Sequence, residues 1–289
     1  MLAVLLALAA AAGYGGSDYA GGLAARRASV VRVTVLAEAT SAALLLCVVP
    51  FISSQAPSLA SVLWGIAAGV SGVAGVMALY LGFRHAAFSV ASSISAVGSA
   101  TFSVLAGVVL GEHPGALSLA GITLALPAIV AVSAPASRPP AGTADRDQRR
   151  HAVGVGLGLA AGAGFGMFFI GLNEAGSVSD PWPLVISQVA AMLTVMCVAA
   201  ANRDLRLPPT GARRLSVMTG VIGATGTTMF FLSTHYGLLA VTAVITSLYP
   251  ALTILLARVV SGERLTALRI IGLSLAAASV ALIAAGGTG

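Results

Sequence analysis

The chain has 289 residues, of which 58% are hydrophobic and only 8% charged, and its mean hydropathy of +0.99 lies outside the range of soluble globular domains. All fifteen basic residues are arginine, which excludes both a phosphate-cradling G-x-x-x-x-G-K-[ST] loop and a lysine Schiff base. The net charge of +6 does not argue for nucleic acid, because the arginines fall in short segments between apolar stretches, where topology and anionic lipid account for them.

In chain order, apolar stretches bounded by charge or proline predict helices near 2–24, 30–50, 58–82, 88–110 and 116–133. A second set follows near 152–173, 182–200, 213–235, 238–260 and 266–286. Crossing about 30 Å of hydrocarbon takes about 20 apolar residues, so the expected fold class is an all-α membrane protein of ten transmembrane helices. The first stretch lacks the basic n-region of a signal peptide. Between the sets, Ser137 to Arg150 carries Pro139, Pro140, Gly142 and alternating charges, and reads as a linker. Cys47 and Cys197 each sit inside an apolar stretch without a C-x-x-C or clustered histidines, so neither a metal site nor a disulfide is expected.

A constant shift of 151 residues lays the second set on the first. Gly13 and Gly15 fall on Gly164 and Gly166, with Tyr14 over Phe165 between them. Gly69, Gly72 and Gly75 fall on Gly220, Gly223 and Gly226, and Gly111-Glu112 falls on Gly262-Glu263. The expected organisation is therefore a first five-helix repeat over 1–136, a linker over 137–150 and a second repeat over 151–289. Five is odd, so the second copy must enter the membrane in the opposite orientation. Inverted repeats around a central cavity are characteristic of transporters, whose halves exchange conformations to open a midplane site to either side. With these helices every arginine falls on one face of the membrane, which makes that face cytoplasmic and puts both termini outside.

The segment "TSLYPALTILLARVVSGERLTALRIIGLSLAAASVAL" and its first-half counterpart "SAVGSATFSVLAGVVLGEHPGALSLAGITLALPAIV" resemble the ten-helix EamA-like members of the drug/metabolite transporter superfamily. The opening "AAAAGYGGSDYAGGLAARR" is similar to that family's first helix, with Tyr14 in its usual tryptophan position. Ser99 stands where the second copy has Pro250. The resemblance implies a basket of ten helices around a cavity and transport of amino acids, other metabolites or drugs. It also implies cytoplasmic termini, opposite to the arginine distribution.

Among the acidic residues, Asp18 and Glu38 lie well inside apolar stretches, at similar depth on one helical hairpin. An ionised carboxylate in a membrane costs several kcal/mol, so such residues usually face a cavity or a partner. The pair could take up a proton or hold a cationic substrate, or else pair with Arg26, Arg27 or Arg32. Glu112 and Glu263 each follow a glycine at a helix end and read as structural caps of the next helix. Tyr14, Phe165, His235 and Tyr249 are further candidates for the solute pathway, as are Tyr19, Tyr80, Gln188 and Tyr236. Pro250 should kink its helix beside Tyr249. Gln188 alone in its stretch reads as an interhelical hydrogen bonder, and the glycine ladders read as close helix contact. A "GVGLGL" run lacks the strand and acid of a dinucleotide site, so no cofactor is expected.

The expected function is a secondary transporter in the plasma membrane, moving a small metabolite by alternating access as a proton-coupled exporter. Its expected partners are a small-molecule solute and membrane lipid, without nucleic acid, and a homodimer stays open. The alternative is a membrane-embedded enzyme acting on a lipid or isoprenoid substrate. The sequence has no H-E-x-x-H or paired aspartate-rich motif of the kind that chemistry uses, so a non-enzyme is expected.

Overall fold

The computed structural model describes residues 1–52, 56–85, 88–132, 144–176, 180–261 and 266–286. In hydrocarbon every backbone N–H and C=O must find its partner within the chain, and uninterrupted apolar sequence answers with helix. The first half supplies α1 (Leu2–Ala25), α2 (Val30–Ile52), α3 (Leu59–His85), α4 (Phe88–Val109) and α5 (Ala116–Val132). The second supplies α6 (Ala144–Glu174), α7 (Trp182–Ala201), α8 (Thr210–His235), α9 (Leu239–Thr246), α10 (Tyr249–Ser261) and α11 (Ala267–Gly286). Among the described residues seven helices are long and apolar enough to cross a membrane, and three shorter apolar stretches, Ile94–Val109, Ala116–Ala131 and Leu239–Thr253, bring the set to ten. The chain is a multi-pass membrane protein.

Two boundaries depart from expectation. Of the expected linker, residues 137–143 lie outside the described residues, and 144–150 continue α6 beyond the expected start at 152. Charge bars these residues from hydrocarbon but not from a helix that extends past it, and no proline or glycine interrupts them. The expected helix 238–260 is divided into α9 and α10 at Ser247 and Leu248. Pro250 has no N–H to continue the ladder, and it is tolerated only in the first turn of a new helix. In the first half, Ser99 leaves α4 continuous; its hydroxyl meets the Ala96 carbonyl at 3.1 Å and the Ser247 hydroxyl at 3.1 Å.

Helices of the first half pack mainly on helices of the second. α1 lies on α8, α3 on α6 and α7, α4 on α6 and α9, and α5 on α11. Lipid tails are as apolar as leucine, so helix association depends on close approach of small residues and not on hiding large ones. Accordingly Leu5, Leu63, Leu105 and Leu159 are exposed, while Ala7, Ala10, Ala68, Ala161 and Ala224 are fully buried. Helix backbones meet at several glycines, where a Cβ at Gly69 would lie 2.1 Å from the Ser187 carbonyl oxygen and one at Gly220 would lie 2.4 Å from the Ala37 carbonyl oxygen. A Cβ at Gly13 would lie 2.6 Å from the Gly226 Cα, and one at Gly164 would lie 2.9 Å from the Gly75 Cα. These two crossings, α1 on α8 and α6 on α3, interchange under the 151-residue shift. So do the next contacts along them, where a Cβ at Gly72 would meet the Phe168 ring at 2.8 Å and one at Gly223 would meet the Ser17 hydroxyl at 3.1 Å.

A second tie between the halves comes from a helix end. Gly111 has a φ of 88°, which returns the Glu112 N–H to the Gly107 carbonyl at 2.8 Å and the Gly111 N–H to the Val108 carbonyl at 3.1 Å, a Schellman turn. The Glu112 carboxylate then accepts the Leu239 N–H at 2.5 Å and the Ala240 N–H at 2.9 Å. It caps α9 in the other half, not the next helix α5 as expected, because the left-handed turn reverses the chain at Gly111. Gly107 leaves room for it, since a Cβ there would stand 2.3 Å from a Glu112 oxygen. Glu263 lies outside the described residues. The same turn closes α7, with Arg203 at a φ of 52°, and presents Asp204 to Arg32 in an ion pair. That hydrogen bond, helped by Ser29, holds the Asp204 carboxyl below its ordinary range. A depressed folded value means that the pair's contribution is present above the unfolded value and is lost as pH falls through the folded one.

Two outcomes follow for stability. Gly13→Ala and Gly164→Ala should each force backbone apart and cost about 1–3 kcal/mol, whereas Gly156→Ala, which has nothing within 4 Å of its added Cβ, should be silent. Thermal midpoints of the detergent-solubilised protein distinguish these. Glu112→Ala orphans two donors at the start of α9 and should cost about 1–2 kcal/mol, with Glu112→Gln between it and the parent.

Candidate functional site

Where α1, α2, α3, α6, α7 and α8 converge they leave a cavity of about 90 Å³, reached also by Tyr249 at the head of α10. The crossings that make these helices touch also hold it open. The glycines at Gly69, Gly72, Gly220 and Gly223 belong to its wall, and they bring backbone to a surface where side chains would fill the space. Of the residues expected on a solute pathway, Tyr14, Asp18, Glu38, Phe165 and Tyr249 all line it, together with Tyr80 and Gln188. Asp18 and Glu38 come from successive helices, as their shared depth implied.

His235 does not line the cavity. It ends α8, where one ring nitrogen meets the Phe231 carbonyl at 2.7 Å and the other the Gly176 carbonyl at 2.8 Å. Both partners are acceptors; a neutral imidazole can donate to one of them and an imidazolium to both. Position in a stretch indicated membrane depth near the helix end, and the tertiary fold turned the ring toward the α6–α7 connection. Tyr236 is 49% exposed, and Tyr19 also lies outside the lining.

Ser17, Ser41, Thr219, Thr227, Phe168 and Phe169 also belong to the lining, and none of them was expected there from the sequence. The 151-residue shift could have found two of them, since it carries Ser17 to Phe168 and Asp18 to Phe169. These paired positions face the same cavity from opposite halves with opposite chemistry. The aromatic wall is continuous. Tyr14 stands edge-on to Phe168 with centroids 6.5 Å apart, Phe169 lies 6.1 Å from Tyr14, and Phe169 stacks on Phe230 at 4.3 Å.

Five hydroxyls at the wall give their protons to the protein. Ser17 donates to the Thr219 carbonyl at 3.1 Å, Ser41 to the Gly220 carbonyl at 2.7 Å and Thr219 to the Leu215 carbonyl at 2.9 Å. Tyr14 donates to the Thr227 hydroxyl at 3.3 Å and Tyr249 to the Ser95 hydroxyl at 3.3 Å. The carboxylates are treated differently. Asp18 is 8% exposed, Glu38 is half-buried, and among the described residues no ion pair reaches either, the Arg32 guanidinium being held by Asp204. Among the described residues, no arginine or histidine belongs to the lining. Ionised carboxylates so placed cost several kcal/mol unless a proton or a bound cation compensates them.

A solved structure titled "Crystal structure of protein" superposes on the chain with a TM-score of 0.72, at 15% sequence identity, over 96% of this chain and 98% of that one. That likeness shows a shared fold. No curated protein matches the chain. The model of the EamA-like transporter family matches residues 152–285. Residues 152–285, which run from within α6 into α11, are thus similar to an EamA-like transporter family domain, which is consistent with the drug/metabolite transporter superfamily.

Proposed function

We propose that the protein is a secondary transporter that carries a small metabolite, an amino acid, related metabolite or drug, across the plasma membrane by alternating access. In this reading it is a proton-coupled exporter built from inverted five-helix halves, 1–136 and 151–289, joined by 137–150. The observation that carries it is the cavity between the halves, with Asp18 buried in its wall and no ion pair reaching it among the described residues. The exchange of the two glycine crossings under one 151-residue shift supports the symmetry that alternating access uses. If the halves are equivalent, the paired contacts can trade roles: α1 on α8 loosens as α3 on α6 tightens, and the cavity opens to the other side. Asp18 and Glu38 are the groups proposed to take up the proton, because an uncompensated carboxylate at that depth is what a proton relieves.

Purified protein in proteoliposomes should accumulate or release a solute from a panel of amino acids and amphiphilic drugs, faster with a pH gradient than without it. Absence of protein-dependent movement for every solute counts against the reading. Asp18→Asn keeps the size and loses the titration, so it should abolish gradient-driven transport while counterflow at saturating solute survives in part. Normal gradient-driven transport by Asp18→Asn would move the proton site elsewhere, with Glu38 next.

The orientation proposed from the arginines puts residues 146–150 in the cytoplasm. In a protein whose exposed Cys47 and Cys197 are replaced, Gln148→Cys should resist an impermeant maleimide in intact cells and Tyr236→Cys should react. The reverse pattern establishes cytoplasmic termini.

A further inference from the structure

We infer that the cavity is a site for a small organic cation, a protonated amine bearing an apolar or aromatic group, and not for an anion or a zwitterion. This rests on the reading of the cavity as the transport site. Three features of the wall carry it. The first is charge: among the described residues the lining holds two carboxylates and no arginine or histidine, and the sequence contains no lysine, so an anionic solute would meet like charge without a counter-ion. A cation would supply the compensation that Asp18, 92% buried and without an ion pair among the described residues, otherwise lacks.

The second feature is the direction of the hydrogen bonds. The Ser17, Ser41, Thr219, Tyr14 and Tyr249 hydroxyls each donate to an acceptor of the protein itself, so their protons are spent before a ligand arrives. A substrate carboxylate needs donors, which these hydroxyls no longer offer; an ammonium brings three donors of its own and needs only acceptors. The Gln188 amide and the Tyr80 and Thr227 hydroxyls are the donors the wall keeps, neutral groups in a lining that also holds two carboxylates.

The third feature is the division of the cavity between the halves. Asp18 and Glu38 come from the first half, while the position equivalent to Asp18 in the second half is Phe169, flanked by Phe168 and Phe165. One side of the ligand is thus offered charge and the other a run of aromatic faces, which hold both apolar groups and, through their quadrupole, cations. An amine carrying a ring matches both sides at once.

The test is direct binding of three probes of similar size to the full-length protein in lipid nanodiscs: phenethylammonium, phenylalanine and phenylacetate. Phenethylammonium should bind, phenylalanine should bind at least about tenfold more weakly because its carboxylate meets the like charge of Asp18 and Glu38, and phenylacetate should not compete. Asp18→Asn should weaken phenethylammonium by about tenfold or more. Where Asp18→Asn does not yield folded protein, as judged by its thermal midpoint, Glu38→Gln carries the same expectation. Phenylalanine or phenylacetate binding as tightly as phenethylammonium overturns the inference, as does absence of phenethylammonium binding or binding that neither substitution changes. Counterflow in proteoliposomes separates this from the transporter reading. Phenethylammonium that binds at Asp18 but does not exchange across the bilayer leaves the cation site standing and removes transport, whereas exchange of phenylalanine alone does the opposite.

Discussion

The structure depends on places where helix backbones touch with no side chain between them, Gly13 against Gly226 and Gly164 against Gly75 among them. In water, burial of large apolar groups would drive helices together; in lipid that drive is missing, and what remains is dispersion between surfaces that fit and hydrogen bonds that find partners. Glycine and alanine let backbones approach closely enough for both. The result is a molecule with leucines on its outside and alanine, glycine and serine within, and with hydroxyls such as Ser17 and Ser41 donating to carbonyls of the neighbouring helix.

Because both crossings join one half to the other, neither half has a core of its own. α1 and α3 find their largest surfaces on α8 and α6, and Glu112 from the first half completes the start of α9 in the second. Helices held together at glycine crossings diverge on either side of them, and the space between α1, α2, α3, α6, α7 and α8 is the cavity. Packing and site are thus one construction: the glycines that permit contact at one level form the wall at another.

Positions that correspond under the 151-residue shift carry different side chains. Pro250 divides one helix and Ser99 leaves its counterpart whole; Asp18 and Phe169 face a common space from equivalent positions. Residues 151 apart thus give the cavity a charged side from α1 and an aromatic side from α6.

The sequence by itself determined the elements. Apolar length fixed nearly every helix to within a few residues, since hydrocarbon tolerates no other backbone, and the 151-residue spacing marked the glycines that meet. It also placed Asp18 and Glu38 at a common depth, because two helices joined by a short turn run antiparallel. What only the tertiary structure decided were matters of rotation and partner. Which face of α1 looks inward, that Phe168 and Phe169 join Asp18 at one cavity, that Arg32 is taken by Asp204, and that His235 turns away to Gly176 all depend on how helices distant in sequence are set against each other. A membrane helix with small residues on several faces carries almost no amphipathic signal to announce that choice; it is made by the close fit of glycine backbones, which no single helix contains.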